Sequence, residues 1–152
     1  MFADEVNRVS FTRHCSACGL LCSGPSACGW DQQHGGLFYF RDIDGRPVSE
    51  YWHDMKFWWP HNEAIIATLL AYQLTGDRAY ARMHATVHDY AYALFPDREC
   101  GDWFGYFHRD GRLSSPVKGN LFKGCFHVPR QQLECWRIAR EIRQGRVGRF
   151  PK

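Results

Sequence analysis

The sequence has no apolar run approaching the ~18 residues that would suggest a membrane span. It opens MFADEVNRVSF, with acids at Asp4 and Glu5 and none of the apolar stretch a secretory leader needs. The expected compartment is therefore the cytosol, with no membrane partner. An excess of charge is also missing: a net charge of +3 over 152 residues is too small and too dispersed to argue for nucleic acid. There is no GxxxxGK phosphate loop, no GxSxG elbow and no HExxH zinc helix, which removes three large classes of enzyme. A second cysteine pair is lacking too. Of seven cysteines, Cys15, Cys18, Cys22 and Cys28 crowd one stretch, and Cys100, Cys125 and Cys135 are scattered. An odd count with no leader argues against a disulfide framework. Strong zinc modules bring two spaced pairs, so this cluster, with His14 beside it, reads as reduced thiols.

What the sequence does contain is one structural phrase used twice. The first copy runs GGLFYFRDIDGRPVS from Gly35 and then MKFWWPHNEA from Met55; the second runs GDWFGYFHRDGRLSS from Gly101 and then LFKGCFHVPR from Leu121. Gly45 and Gly111 keep step, as do Tyr39 with Tyr106 and His61 with His127. A repeat of this length points to an array or ring of similar units. Equivalent positions in a ring face one central cavity, so two imidazoles are expected there. The chain holds little more than two such units, too few to close a ring, and open arrays expose apolar faces at their ends.

Residues 1–29 form a poorly specified Cys-rich segment, 30–143 the patterned body and 144–152 a basic tail. Leu37 to Phe40 reads as a short strand and Asp44-Gly45 as its turn. Pro60 suits a helix start, and a helix from His61 to Leu74 would place Ile65, Ile66, Leu69 and Leu70 on one face. Gly76 fits the position after a helix end and Asp77 a helix cap. The next helix, about Arg78 to Leu94, carries a stripe of Tyr80, Met83, Val87, Tyr90, Ala91 and Leu94. Trp103 to Phe107 with Asp110-Gly111 repeats the aromatic hairpin. A last helix from about Val128-Pro129 carries Leu133, Trp136, Ile138 and Ala139 before Gly145. Arginines spaced by three from Arg137 to Arg149 drift around a helix and paint a solvated surface. The pattern is an all-α toroid with short β-hairpin loops.

Among groups fit for chemistry, His127 and Arg130 lie three apart at a helix start and can face one pocket. His61 and Glu63 stand below Trp58 and Trp59. Imidazole exchanges a proton near neutral pH, an arginine can hold an oxygen as charge develops on it, and aromatic faces suit sugar rings. A histidine beside an aromatic cluster is more often a hydrogen-bonded structural group, and His34, His53, His84, His88 and His108 are read that way.

WDQQHGGLFYF, MKFWWPHNEA, GDWFGYF and FKGCFHVPR, in this order and at these separations, resemble the N-acylglucosamine 2-epimerase family over about Trp30 to Trp136. The resemblance implies part of an (α/α)6 barrel, its C-terminal portion, forming an incomplete ring. It implies an isomerase that interconverts N-acetylglucosamine and N-acetylmannosamine by taking a proton from C2 and returning it. His127 matches a catalytic histidine of the family, Arg130 a substrate-facing arginine, and His61 and Glu63 pocket positions, with Trp58 and Trp59 as walls. No cofactor or metal is required by that chemistry; the resemblance implies ATP as an effector, homodimers and association with renin. The family's other histidine lies in a GHxxE block, and no such block occurs in this sequence. A truncated or fragmentary enzyme is therefore expected. The alternatives are a non-catalytic interaction protein and a related sugar isomerase.

Overall fold

The computed structural model describes residues 29–42 and 44–148; the Cys15–Cys28 cluster and the end of the basic tail lie outside the described residues. Strand β1 (Lys56–Phe57) runs directly into helix α1 (Trp58–Thr75), followed by α2 (Arg78–Leu94), β2 (Tyr106–Phe107), β3 (Leu113–Ser115) and α3 (His127–Arg143). Helix α1 packs against both α2 and α3.

The helix boundaries have local causes. Pro60 occupies the third position of α1, where its missing N–H would be unsatisfied in any case. The helix ends at Gly76, which takes φ +74° and donates its N–H to Tyr72 O. One residue later, the Asp77 carboxylate accepts the Ala79 N–H at 2.8 Å and caps α2. Helix α3 has Arg140 and Arg143 in its last turn, where cations favour the dipole. The turn at Thr75–Asp77 and the span of α2 agree with the sequence reading. Helix α1 begins earlier, at Trp58, because residues before a proline can continue from an extended strand into the first turn.

The core joins Phe57, Trp58, Ala64 and Ile65 to Val87, Ala91 and Phe95 and to Trp103 and Phe107. Val87 and Ala91, the centre of the α2 stripe, are fully buried. On α3 only part of the expected stripe is covered: Ile138 is buried, whereas Leu133 and Trp136 are more than half exposed.

The repeat is visible in atoms. Trp30 bridges Leu37, and Pro96 bridges Trp103 at the equivalent place in the second copy. In both loops an aspartate, Asp31 or Asp97, accepts backbone N–H groups two and three residues ahead. In both a lysine, Lys56 or Lys118, pairs with that aspartate and stands over an aromatic ring, Phe38 or Phe104. The tips repeat as well, with Arg46–Asp44 and Arg112–Asp110 ion pairs.

The strands differ from the sequence reading. Leu37 to Phe40 makes no ladder beyond the bridge at Leu37. Instead β1, unpatterned in sequence, pairs antiparallel with β2 (Lys56 opposite Phe107, Phe57 opposite Tyr106), and β2 pairs with β3 through a bulge. Two-residue strands carry no alternation to read, so their pairing is set by the helices that bring the two hairpins together.

Candidate active site

The three strands, the segment before β1, the start of α1, the start of α3 and the segment between β3 and α3 line an open cavity of about 730 Å³. Its walls are aromatic: Tyr39, Trp52, Phe57, Trp58, Trp59, Tyr106 and Phe122, with Met55. Ser114, Ser115, Asn120 and His127 supply the polar groups. The size is in the range of small-molecule sites, and an apolar lining with few polar groups is their usual composition.

His127 is the first residue of α3 and is partly exposed. Its Nδ1 lies 3.0 Å from Glu63 Oε1. A carboxylate only accepts, so Nδ1 carries a proton; in the neutral form of the ring the lone pair is on Nε2, which has no hydrogen-bond partner among the described residues. The other Glu63 oxygen receives Arg130 Nη1. Glu63 sits one turn into α1, while Arg130 lies one turn after His127 on α3; their pairing therefore ties the two helices together at the cavity. Trp59 stands 5.9 Å from the His127 ring and Trp58 6.1 Å, the latter edge-on. Tyr39 stacks on Phe57 at 4.2 Å and meets Trp59 edge-on. Tyr39, Phe57 and Trp59 therefore brace one another on one side of the cavity, whereas Trp52 and Phe122 are more than half exposed.

The expectation for His61 does not survive. It is fully buried; its Nε2 accepts the Leu37 N–H at 2.9 Å and its Nδ1 lies 2.7 Å from Phe57 O, to which it must donate. Both nitrogens are occupied by backbone, and the ring is packed between Tyr90 and Phe95. Burial pushes its pKa down to about 4, against a smaller opposing effect of the Phe57 carbonyl. This is a neutral structural histidine that does not line the cavity. The reason is a change of register between hairpins and helices. Helix α1 begins at Trp58, ahead of His61, whereas α3 begins at His127 itself, and Pro60 and Pro129 each hold the third position. In helix register His127 therefore corresponds to Trp58, and His61 to Arg130.

The other residues singled out in the sequence are placed around His127. Trp58, Trp59 and His127 line the cavity; Glu63 and Arg130 stand behind His127, and Arg130 meets the carboxylate rather than the cavity itself. Sequence reasoning missed Tyr39 and Tyr106 as walls, although the repeat had already singled them out. It missed Ser114, Ser115, Asn120 and Phe122, which lie on a segment with no periodicity to read. Among the described residues no group of three metal-ligating side chains is assembled, and no helix is long and apolar enough to cross a membrane.

Residues 18–127 match the family model for N-acylglucosamine 2-epimerase. The bovine (Bos taurus) N-acylglucosamine 2-epimerase is 50% identical over 111 residues, 73% of this chain and 26% of the relative; the human one is 47% identical over the same shares. Among solved structures, the cellobiose 2-epimerase of Spirochaeta thermophila superposes with a TM-score of 0.60 at 29% identity, covering 70% of this chain and 26% of that one. A D-mannose isomerase superposes with a TM-score of 0.62 at 20% identity, covering 82% and 34%, a likeness of fold alone. The chain spans about a quarter of the length of the curated relatives it matches.

Proposed function

Because this chain belongs to the N-acylglucosamine 2-epimerase family, we propose that its cavity receives an N-acetylated amino sugar and that His127 transfers the proton at C2. In the open-chain sugar the C2–H lies beside the C1 aldehyde, so its removal gives an enol-type intermediate. Nε2 of the neutral His127 ring takes the proton. The imidazolium that results lies beside the Glu63 carboxylate, which stabilises it and holds the ring's orientation. Arg130 holds Glu63 in turn and keeps its second oxygen from wandering. Trp59, Tyr39 and Tyr106 offer flat faces to the sugar's C–H surfaces. The proton leaves and returns at one carbon, so neither cofactor nor metal is needed.

The observation that carries this reading is the His127–Glu63–Arg130 array at an aromatic cavity. His127 serves one face of the sugar. Returning a proton to the other face, which inverts C2, needs a second acid, the role the family resemblance gives to a GHxxE histidine absent from this sequence.

Titration of the chain with N-acetylglucosamine, N-acetylmannosamine and mannose, followed by NMR of the His127, Tyr106 and Trp59 side chains, tests the substrate class. The N-acetylated sugars should shift all three. A response to mannose alone would favour a sugar isomerase. No response to any sugar at about 10 mM, above the usual KM range, would contradict the reading. It would favour a non-catalytic interaction protein, to which the exposed Leu121, Phe122 and Trp136 also point.

A further inference from the structure

Lys123 is 1% exposed and takes no part in the proton transfer described above. Its ammonium donates to Lys118 O at 2.7 Å and to Asp102 Oδ2 at 3.3 Å, and stands 5.7 Å from the centre of a Trp58 ring. Its stem passes so close to the residue before β2 that a Cβ on Gly105 would lie 2.8 Å from Lys123 Cδ. Around it the backbone closes a turn. The Phe122 and Lys123 N–H groups donate to Asn120 Oδ1 at 2.9 and 2.8 Å, and the Asn120 N–H donates to Lys123 O at 3.1 Å. Asn120 Nδ2 reaches Tyr106 Oη at 3.1 Å. Trp58, Tyr106, Asn120 and Phe122 come from three separate segments and all line the cavity. One buried ammonium is the point where those segments meet.

Stability alone does not account for it. An apolar side chain of the same length would fill the space without the cost of desolvating a charge. The partner is also held at a cost. Asp102 is the only non-glycine with positive φ among the described residues, at +58°, and it stands where the first copy of the repeat has Gly36 at +74°. Aspartate is one of the few L residues that visits this region, at a modest cost relative to glycine, and residues held there concentrate at sites where geometry matters. Here the residue so held is the one whose carboxylate reaches Lys123.

We propose that Lys123, held by Asp102, is a positioning residue that sets the cavity wall formed by Asn120, Phe122 and Trp58. Its consequence for ligand binding rests on the sugar-site reading given above. Two variants of the full chain test it: Lys123→Met, which keeps the stem and removes the charge, and Asp102→Gly, which relieves the backbone strain and removes the partner. Amide hydrogen exchange at Phe122 and Lys123, Tm and the Kd for N-acetylglucosamine are measured on each.

We expect exchange at the two amides to rise about tenfold and the Kd to weaken about tenfold, the effect of losing one charge-assisted hydrogen bond. The Tm of Asp102→Gly should fall only slightly, because relief of the backbone offsets part of the lost ion pair. Unaltered exchange at both amides, or a lowered Tm with unaltered Kd in both variants, would overturn the proposal. If Lys123→Met does not fold, Asp102→Gly decides alone. If the parent chain binds no N-acetylglucosamine, the sugar reading fails by itself and the exchange rates still decide Lys123.

Discussion

Both ring nitrogens of His61 are committed to backbone groups, so a proton can be added only by breaking a buried hydrogen bond, whereas His127 keeps one nitrogen free beside a carboxylate. The consequence for His61 is a pH dependence of stability. Its folded-state pKa of about 4 lies below the ordinary 6.5, so between those values the unfolded chain binds the extra proton. Stability therefore falls as pH drops from 6.5 to 4, by about 3 kcal/mol in total, and the loss levels off below. Half-buried His84 acts in the same direction, its pKa lowered chiefly by burial. A second, separate loss comes at lower pH from Asp97. The Lys118 ammonium holds its pKa down to about 2, so its contribution disappears as pH falls from about 4 to 2. Urea unfolding at half-unit pH steps should show the first phase; a flat profile between 6.5 and 4 would contradict the burial of a neutral His61. At His127 the expectation concerns rate. Glu63→Gln and Arg130→Lys should each lower proton transfer by about tenfold or more, since a point charge does not reproduce the guanidinium's fixed geometry at Glu63. Single-turnover measurement of C2 exchange checks both.

Among the elements, α2 is fully legible in the sequence because its buried stripe, its Asp77 cap and the preceding Gly76 are all local signals. The position of His61 is not, because the step that relates the two hairpins does not carry over into the helices that follow them. The connection into α3 is longer than the one into α1, and the prolines at Pro60 and Pro129, rather than the histidines, mark the helix register. The two-residue strands are illegible for a different reason: β1 and β2 are joined by contacts between distant segments and have no pattern of their own. The glycines of the first hairpin offer a direct comparison of two effects. Gly36 has φ +74° and an added Cβ would lie 2.3 Å from the Tyr90 ring, which packs on His61. Gly45 has φ +73° but open space around it. Gly45→Ala should cost only backbone strain, about 1 kcal/mol, whereas Gly36→Ala adds a clash with the core and should cost about 3 kcal/mol. Chemical denaturation of both variants separates strain from overpacking, and equal losses would show that the Tyr90 contact carries nothing.

Across the whole molecule, the apolar surface is unevenly covered. Leu121, Phe122 and Phe126 ahead of α3, and Leu133 and Trp136 along it, are all more than half exposed. Exposed apolar surface of this extent promotes association. Light scattering should therefore show concentration-dependent association, reduced by Leu133→Glu with Trp136→Glu; a monomer at all concentrations would count against this. The helices and hairpins nonetheless bring one imidazole to an aromatic cavity with its carboxylate behind it, and that assembly is the basis of the functional reading. Its most direct test is incubation of the chain with N-acetylglucosamine and, separately, N-acetylmannosamine in deuterated water, with the C2 position followed by NMR. With a single proton-transfer group, deuterium should enter C2 of at least one epimer with little inversion, and His127→Asn should slow this by about 10²–10⁴-fold. Exchange at the same rate in the His127→Asn variant, or none in the parent chain, would contradict the assignment of His127 as the proton-transfer residue.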